Sequence, residues 1–283
     1  MFKTNEINYI DCHMHLQLPE FDGCRDEIVS MAAENGVTHM LCNSTGPLDW
    51  ETVYNYSLKY DTVVPCFGFH PWSTSSHLED WQNKLRQYLT MTASGVGEIG
   101  LDRWKKPFDA DVQQYLLDTQ LKLAAELERP VFIHCIKAWG RLVNIIKSQK
   151  KLPPFIVIHA YNGSLELTRQ LLDIGCVFSF AGNCLSPKKL KARRLIRFIP
   201  SDKFYIETDS PELIPPAEYL SRKVLRKNGL PRNEPCNLPA ILAGIAEIRG
   251  ICAEKLKAQI AKNASELLKA MKNNLAETSK HSL

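Results

Sequence analysis

Short apolar runs recur along the chain at residues 7–12, 37–42, 63–69, 95–101, 131–134, 155–159, 177–180 and 204–206. Each has the length of a strand, and the stretches between most of them carry apolar positions spaced for a helix. Val112, Leu116, Leu117, Leu121, Leu123, Ala124 and Leu127 are one such set. Strands that alternate with helices pair in parallel, with the helices as crossovers. Eight such units without a composition break, and without a G-x-G-x-x-G after the first strand, predict a closed (β/α)8 TIM barrel, an α/β fold, rather than an open doubly wound sheet. The Pro-rich and basic stretch 211–239 reads as a long loop after the eighth strand, followed by a helix over 238–249. The expected organisation is one barrel domain over 1–275, with a fraying tail over 276–283.

Composition narrows this picture without redirecting it. With 45% hydrophobic and 23% charged residues in 283, the chain can fill one large core and has no mark of disorder or of a fibrous repeat. No run approaches the roughly 18 apolar residues of a membrane span, and the first residues lack a leader pattern. The expectation is a cytoplasmic protein with no membrane partner, and no feature marks an obligate protein partner. Nine cysteines, an odd number without a C-x-x-C pair, read as reduced thiols. A net charge of +4 permits a polyanionic partner without requiring one.

The chemistry lies at the ends of the apolar runs. Asp11-Cys12-His13-Met14-His15 closes the first, and residues two apart in an extended chain point the same way, so His13 and His15 face one side. Glu98 ends or nearly ends the fourth run, His134 the fifth, His159 the sixth and Asp209 the eighth. A barrel gathers these strand ends onto its catalytic face. Imidazoles with carboxylates suit zinc, manganese, iron or nickel better than an all-oxygen set would. A bridging Glu98 would allow two ions roughly 3.5–4 Å apart to clamp attacking and leaving oxygens, which makes hydrolysis the natural outcome. The bland alternative, buried hydrogen-bond partners that fix loop ends, asks the fold to bury six ionisable groups with nothing to offset the cost.

Taken together with Gly68-Phe69-His70-Pro71, Val96-Gly97-Glu98-Ile99-Gly100-Leu101-Asp102, Glu207-Thr208-Asp209-Ser210-Pro211 and Arg232-Asn233-Glu234-Pro235, the chain resembles the TatD family of metal-dependent deoxyribonucleases among the amidohydrolase-like barrels. The resemblance implies two divalent ions (zinc, manganese, magnesium or nickel). His13, His15 and Asp209 would hold one, Glu98 would bridge, and His134 and His159 would complete the second. Asp209 and Glu98 would be the catalytic carboxylates, with Asp209 orienting or deprotonating the attacking water. The chain departs from the family after His134, where H-x-R is replaced by His134-Cys135-Ile136-Lys137. Lys137 offers a phosphate a point charge in place of the arginine fork. Leu16-Gln17 stands where the family usually has an acidic or amide residue.

Other features read two ways. His70 is a candidate substrate contact or a loop-fixing histidine beside Pro71; His39, His77 and His281 have no partner motif and read as structural or solvated. Lys188, Lys189, Lys191, Arg193, Arg194 and Arg197, followed by Arg222, Lys223, Arg226 and Lys227, either draw in a polyanionic strand or form a solvated face. Trp72 and Trp104 could stack an unpaired base, though packing under a loop is the plainer role. The expected function is a metal-dependent DNase or exonuclease, with DNA or another nucleic acid as the partner it cuts. The same site would also serve an ester, lactone or amide hydrolase, including an aminoacyl-tRNA deacylase, and a non-enzymatic nucleic-acid-binding barrel is the third class.

Overall fold

The computed structural model describes residues 7–73, 79–226 and 228–272. The expected tail over 276–283, His77, Lys227 and His281 lie outside the described residues. The element order is β1 Tyr9–Met14, α1 Arg25–Glu34, β2 Val37–Asn43, α2 Trp50–Lys59, β3 Val63–Cys66, α3 Trp81–Met91, β4 Val96–Asp102, α4 Ala110–Glu126 and β5 Val131–Ile136. It continues with α5 Trp139–Ser148, β6 Ile156–Ile158, α6 Leu165–Asp173, β7 Val177–Ala181, α7 Leu190–Phe198, β8 Phe204–Glu207, α8 Leu238–Arg249 and α9 Ala253–Ala270.

The pairings between these strands are all parallel, in the orders β1-β2-β3 and β4-β5-β6-β7-β8. Two seams close the ring. Beyond β3, the Phe67 amide donates to the Gly95 carbonyl and the Gly97 amide to the Phe67 carbonyl, both at 3.0 Å. Beyond β8, the Asp209 amide donates to His13 O and the His15 amide to Ser210 O, both at 2.9 Å. The expected TIM-type barrel is the fold observed. Its strands are apolar on both faces because helices cover them outside and side chains fill them inside; Val96, Ile99, Phe132, Ile133, Val157, Ile158, Phe178 and Ile206 are all buried.

The helices start and stop on local signals. Asp109 caps α4 by accepting from the Asp111 and Val112 amides, and Ser164 caps α6 by accepting from Leu167. Gly250 ends α8 at φ 67, a left-handed position that glycine takes without steric cost. The strand bounds differ from expectation where the seams act. β1 runs to Met14 rather than stopping at residue 12, because the β8 seam holds the backbone around His13 and His15 extended. β3 stops at Cys66 rather than 69, since Gly68 lies against the Gly97–Glu98 backbone; a Cβ there would come within 2.6 Å of Gly97 C.

α9 was not foreseen, although Leu256, Ile260, Ala264, Leu267 and Leu268 have helical spacing and are buried. Its Asn263 amide donates to the Ser201 and Phe204 carbonyls at 2.7 and 3.0 Å and so fixes the start of β8. The 211–239 loop is pinned by ion pairs between its arginines and acidic side chains. Arg222 meets Glu27 at 2.5 Å and Glu234 at 2.7 Å, and Arg226 meets Glu212 at 2.7 Å. These two arginines, expected as possible strand contacts, are instead spent on the loop. Among the described residues, no single helix is long and apolar enough to cross a membrane.

Candidate metal centre

The C-terminal strand ends deliver the expected six side chains to one point, and the structure adds others. His13 and His15, on alternate positions at the end of β1, bring their Nε2 atoms within 3.3 Å of each other. Both lie 3.3 Å from Glu98 Oε2, and Asp209 Oδ1 lies 3.8 and 3.5 Å from them. The other oxygen, Glu98 Oε1, faces a second set: His159 Nε2 at 2.8 Å, His134 Nδ1 at 3.1 Å and His70 Nε2 at 3.2 Å. One carboxylate thus presents one oxygen to each of two imidazole groups. All seven residues are buried, Asp209 and His134 most exposed at 8%.

The outward ring nitrogens decide which imidazoles offer a free electron pair to the centre. His15 Nδ1 lies 2.7 Å from the Asn43 carbonyl, so it carries the proton and Nε2 is left unprotonated in the neutral ring. His134 Nε2 lies 2.9 Å from Asp102 Oδ2, which leaves Nδ1 free in the same way. His159 Nδ1 faces Glu207 Oε1 at 3.6 Å, while Glu207 is itself held by the Ala160 amide at 2.7 Å and by a short bond from Ser179. His70 is the reverse case. Its Nδ1 accepts from the Trp72 amide at 3.1 Å, so the neutral ring carries its proton on Nε2 and points a donor at Glu98.

Electrostatics follow from this crowding. Burial alone would raise the Glu98 carboxyl, but His70, His159 and His13 around it hold it well below the ordinary range. Burial, with His159 stacked beside it, lowers His13 to about 3. His15 is also penalised by burial, yet its bonds to Asp209 and Glu98 raise it to about 10. Burial of His134 is outweighed by Asp102 and Glu98, and its pKa is raised. Burial lowers His70.

Asp209 stands at φ 52 and Ala160, after His159, at φ 44. Non-glycine residues persist in this region only where surrounding contacts over-determine them. Around Asp209 those contacts are visible. Asp11 accepts from the Thr208 amide at 2.8 Å and its hydroxyl at 2.5 Å, and Asn233 donates to Thr208 O at 2.8 Å. Burial pushes Asp11 up to about 7 against these bonds. The Arg232-Asn233-Glu234-Pro235 motif is therefore a clamp on the turn that carries Asp209.

Sequence reasoning missed Asp102, Glu207 and Asp11 as supports, although all three lie inside quoted motifs. His70, which reads from the sequence either as a substrate contact or as a loop-fixing histidine, stands against Glu98. Lys137 is exposed at φ 54 and does not line the cleft over Glu98, whereas Lys189 does.

The donor set fits divalent cations. Three groups of residues have ligand atoms mutually within 4.8 Å: His13, His15 and Asp209; His70, Glu98 and His134; and His13, His159 and Glu207. The proton on His70 Nε2 favours His159 over His70 beside Glu98 and His134. Nitrogen atoms 3.3 Å apart with carboxylates alongside form a low-dielectric nest whose burial a cation would offset.

The model of the TatD related DNase family matches residues 10–269. The chain is 32% identical over 260 residues to the 3′-5′ ssDNA/RNA exonuclease TatD of Pantoea ananatis, covering 91% of this chain and 98% of that one. It is 31% identical over 264 residues to the protein of that name from Erwinia tasmaniensis, with 91% and 98% covered. Among solved structures it is similar to YJJV, a TatD homologue of Escherichia coli K12, with a TM-score of 0.83, 26% identity and coverage of 93% and 98%. A TatD family hydrolase of Entamoeba histolytica shares the fold at a TM-score of 0.79 and 23% identity, with 92% and 97% covered.

Proposed function

The chain belongs to the TatD-related DNase family, and from that premise we propose that it is a metal-dependent exonuclease that removes nucleotides from the 3′ end of single-stranded DNA or RNA. The observation that carries this reading is Glu98, whose two oxygens face two separate imidazole sets as a bridging carboxylate would. His13, His15 and Asp209 would hold one ion, His134 and His159 the other, with Glu98 between them. The ions, when bound, supply Lewis acidity toward the phosphate and make water a stronger acid.

The remaining work falls to the protein. Glu98 stays ionised and keeps the two halves of the site in register. Asn43, Asp102 and Glu207 orient His15, His134 and His159 from behind, which holds their free nitrogens inward. Asp209, fixed by the clamp around Thr208, directs a water at the phosphorus and accepts its proton on the carboxylate. The water oxygen bonds to phosphorus as the phosphorus–oxygen ester bond opposite breaks, and the leaving oxygen takes a proton from solvent. His70 donates from Nε2 and keeps the Glu98 oxygen it faces from rotating. A cytoplasmic place of action accords with nine free thiols.

The test is degradation of end-labelled single-stranded DNA, duplex DNA and RNA by chelated protein given magnesium, manganese, zinc or nickel, beside simple esters and lactones. Metal-restored shortening from the 3′ end of single strands is expected. Folded, metal-loaded protein that cuts esters or lactones but no nucleic acid would overturn the reading.

A further inference from the structure

The cleft above Glu98 has an aromatic wall that the hydrolytic chemistry leaves unused. Trp72 follows His70 by two residues and Trp104 follows Asp102 by two, so the loops after β3 and β4 carry both indoles to the rim. They line the same cavity, of about 770 Å³, as Glu98, His134 and Asp209. That volume lies in the range of small-ligand pockets. Trp72 is 44% exposed and Trp104 58%, so both indoles present apolar surface at the mouth of a site built from buried polar groups.

Their placement has a built quality. The Trp72 ring stands edge-on to His70 at 4.9 Å and to His134 at 5.9 Å, which sets its plane beside the centre. Lys105 Nζ lies 4.1 Å over the same ring. Lys189 lines the cavity as well. Flat π surfaces with ammonium groups match a ligand that is itself a flat ring joined to an anion, and an unpaired nucleotide is such a ligand. Bases inside a duplex have both faces covered by their neighbours, so only a single strand or a frayed end can present one to an indole.

We propose that Trp72, Trp104 and Lys105 form a subsite that stacks the unpaired base at the end of the strand and neutralises its phosphate, and that this subsite makes the enzyme select unpaired ends. The inference rests on the nuclease reading and adds to it the part of the chain that reads the base. Stacking on one aromatic residue changes affinity by about ten- to a hundredfold. The subsite therefore accounts for selection of that size.

The experiment uses the full, metal-loaded chain and two single-stranded oligonucleotides that differ only at the 3′-terminal residue, which bears a base in one and is abasic in the other. The wild type is expected to favour the base-bearing end about tenfold or more in kcat/KM, mainly through KM. In the Trp72→Ala/Trp104→Ala double variant this ratio is expected to fall to about one, whatever the absolute rates. Trp72→Phe, which keeps a stacking face, retains most of it. Trp104→Ala alone, at an exposed position, supplies a variant that folds and is expected to lower the ratio in part.

Equal cleavage of the two ends by wild type, or a ratio unchanged in the folded tryptophan variants, overturns the subsite and leaves the nuclease reading standing. Failure of metal-loaded wild type to cut either end overturns both.

Discussion

The two ends of the barrel bury polar groups to opposite effect. At the N-terminal end, Arg129 is 2% exposed and its two terminal guanidinium nitrogens donate to backbone carbonyls, those of Leu89 at 2.8 Å and of Met271 in a shorter bond. Asn263 does the same between α9 and the start of β8. These donors meet fixed backbone acceptors, and what results is a plug that ties the last helix to the barrel. At the C-terminal end, imidazoles and carboxylates meet one another around a shared point, and the partners that fix them stand behind, in Asn43, Asp102 and Glu207. A polar group whose partner is the backbone holds the fold. A set whose electron pairs converge is suited to a cation.

That contrast can be broken at either end. The largest effect is expected for Glu98→Ala, which removes the one group shared by both imidazole sets. Cleavage should fall at least about a thousandfold, and elemental analysis should find fewer than two ions per chain, with unfolding still cooperative because the opposite end is intact. Unchanged metal content and rate would mean that Glu98 holds nothing.

Arg129→Met is the mirror experiment. It removes the buried donors from the Leu89 and Met271 carbonyls and should lower stability by about 3 kcal/mol, read as a drop in the denaturant midpoint, while kcat of the folded protein stays the same. A loss of activity without a loss of stability would erase the distinction between the two ends.

Asp102→Asn tests the supporting layer. The residue touches no proposed ion; its Oδ2 lies 2.9 Å from His134 Nε2 and its Oδ1 accepts from the Trp104 and Lys105 amides at 2.6 and 3.0 Å, yet loss of its charge should weaken metal affinity or activity about ten- to a hundredfold. Titration of chelated protein with manganese would show the shift. The smallest effect belongs to the rim. Lys189→Ala should raise KM for a single strand a few-fold and reduce the salt dependence of binding by roughly one phosphate contact. Arg222→Ala should leave that salt dependence unchanged, because its guanidinium is committed to Glu27 and Glu234; both follow from KM measured across a salt series.

Much of this was legible in the chain because it is local. Runs of β-branched and aromatic residues bounded by helical spacing determine a parallel α/β barrel, and the H-x-H at residues 13 and 15 shares one face by the two-residue period of a strand. Ligand-type residues at successive strand ends then point to a metal centre before any coordinates exist. The tertiary structure decided the rest, because it depends on which distant segments meet. His70 reads alike as a loop histidine and as a substrate contact until the Trp72 amide fixes its proton and Glu98 appears 3.2 Å away. Arg222 and Lys189 are both cations in basic stretches, and only packing commits one to Glu27 and Glu234 and leaves the other at the cleft. The sequence by itself determined the elements and the kinds of atoms at their ends. Closure of the ring, with Asp209 N on His13 O and Gly97 N on Phe67 O, decided which of those atoms face one another, since hydrogen-bond distances across 196 residues between His13 and Asp209 are a property of the closed barrel and of no local stretch.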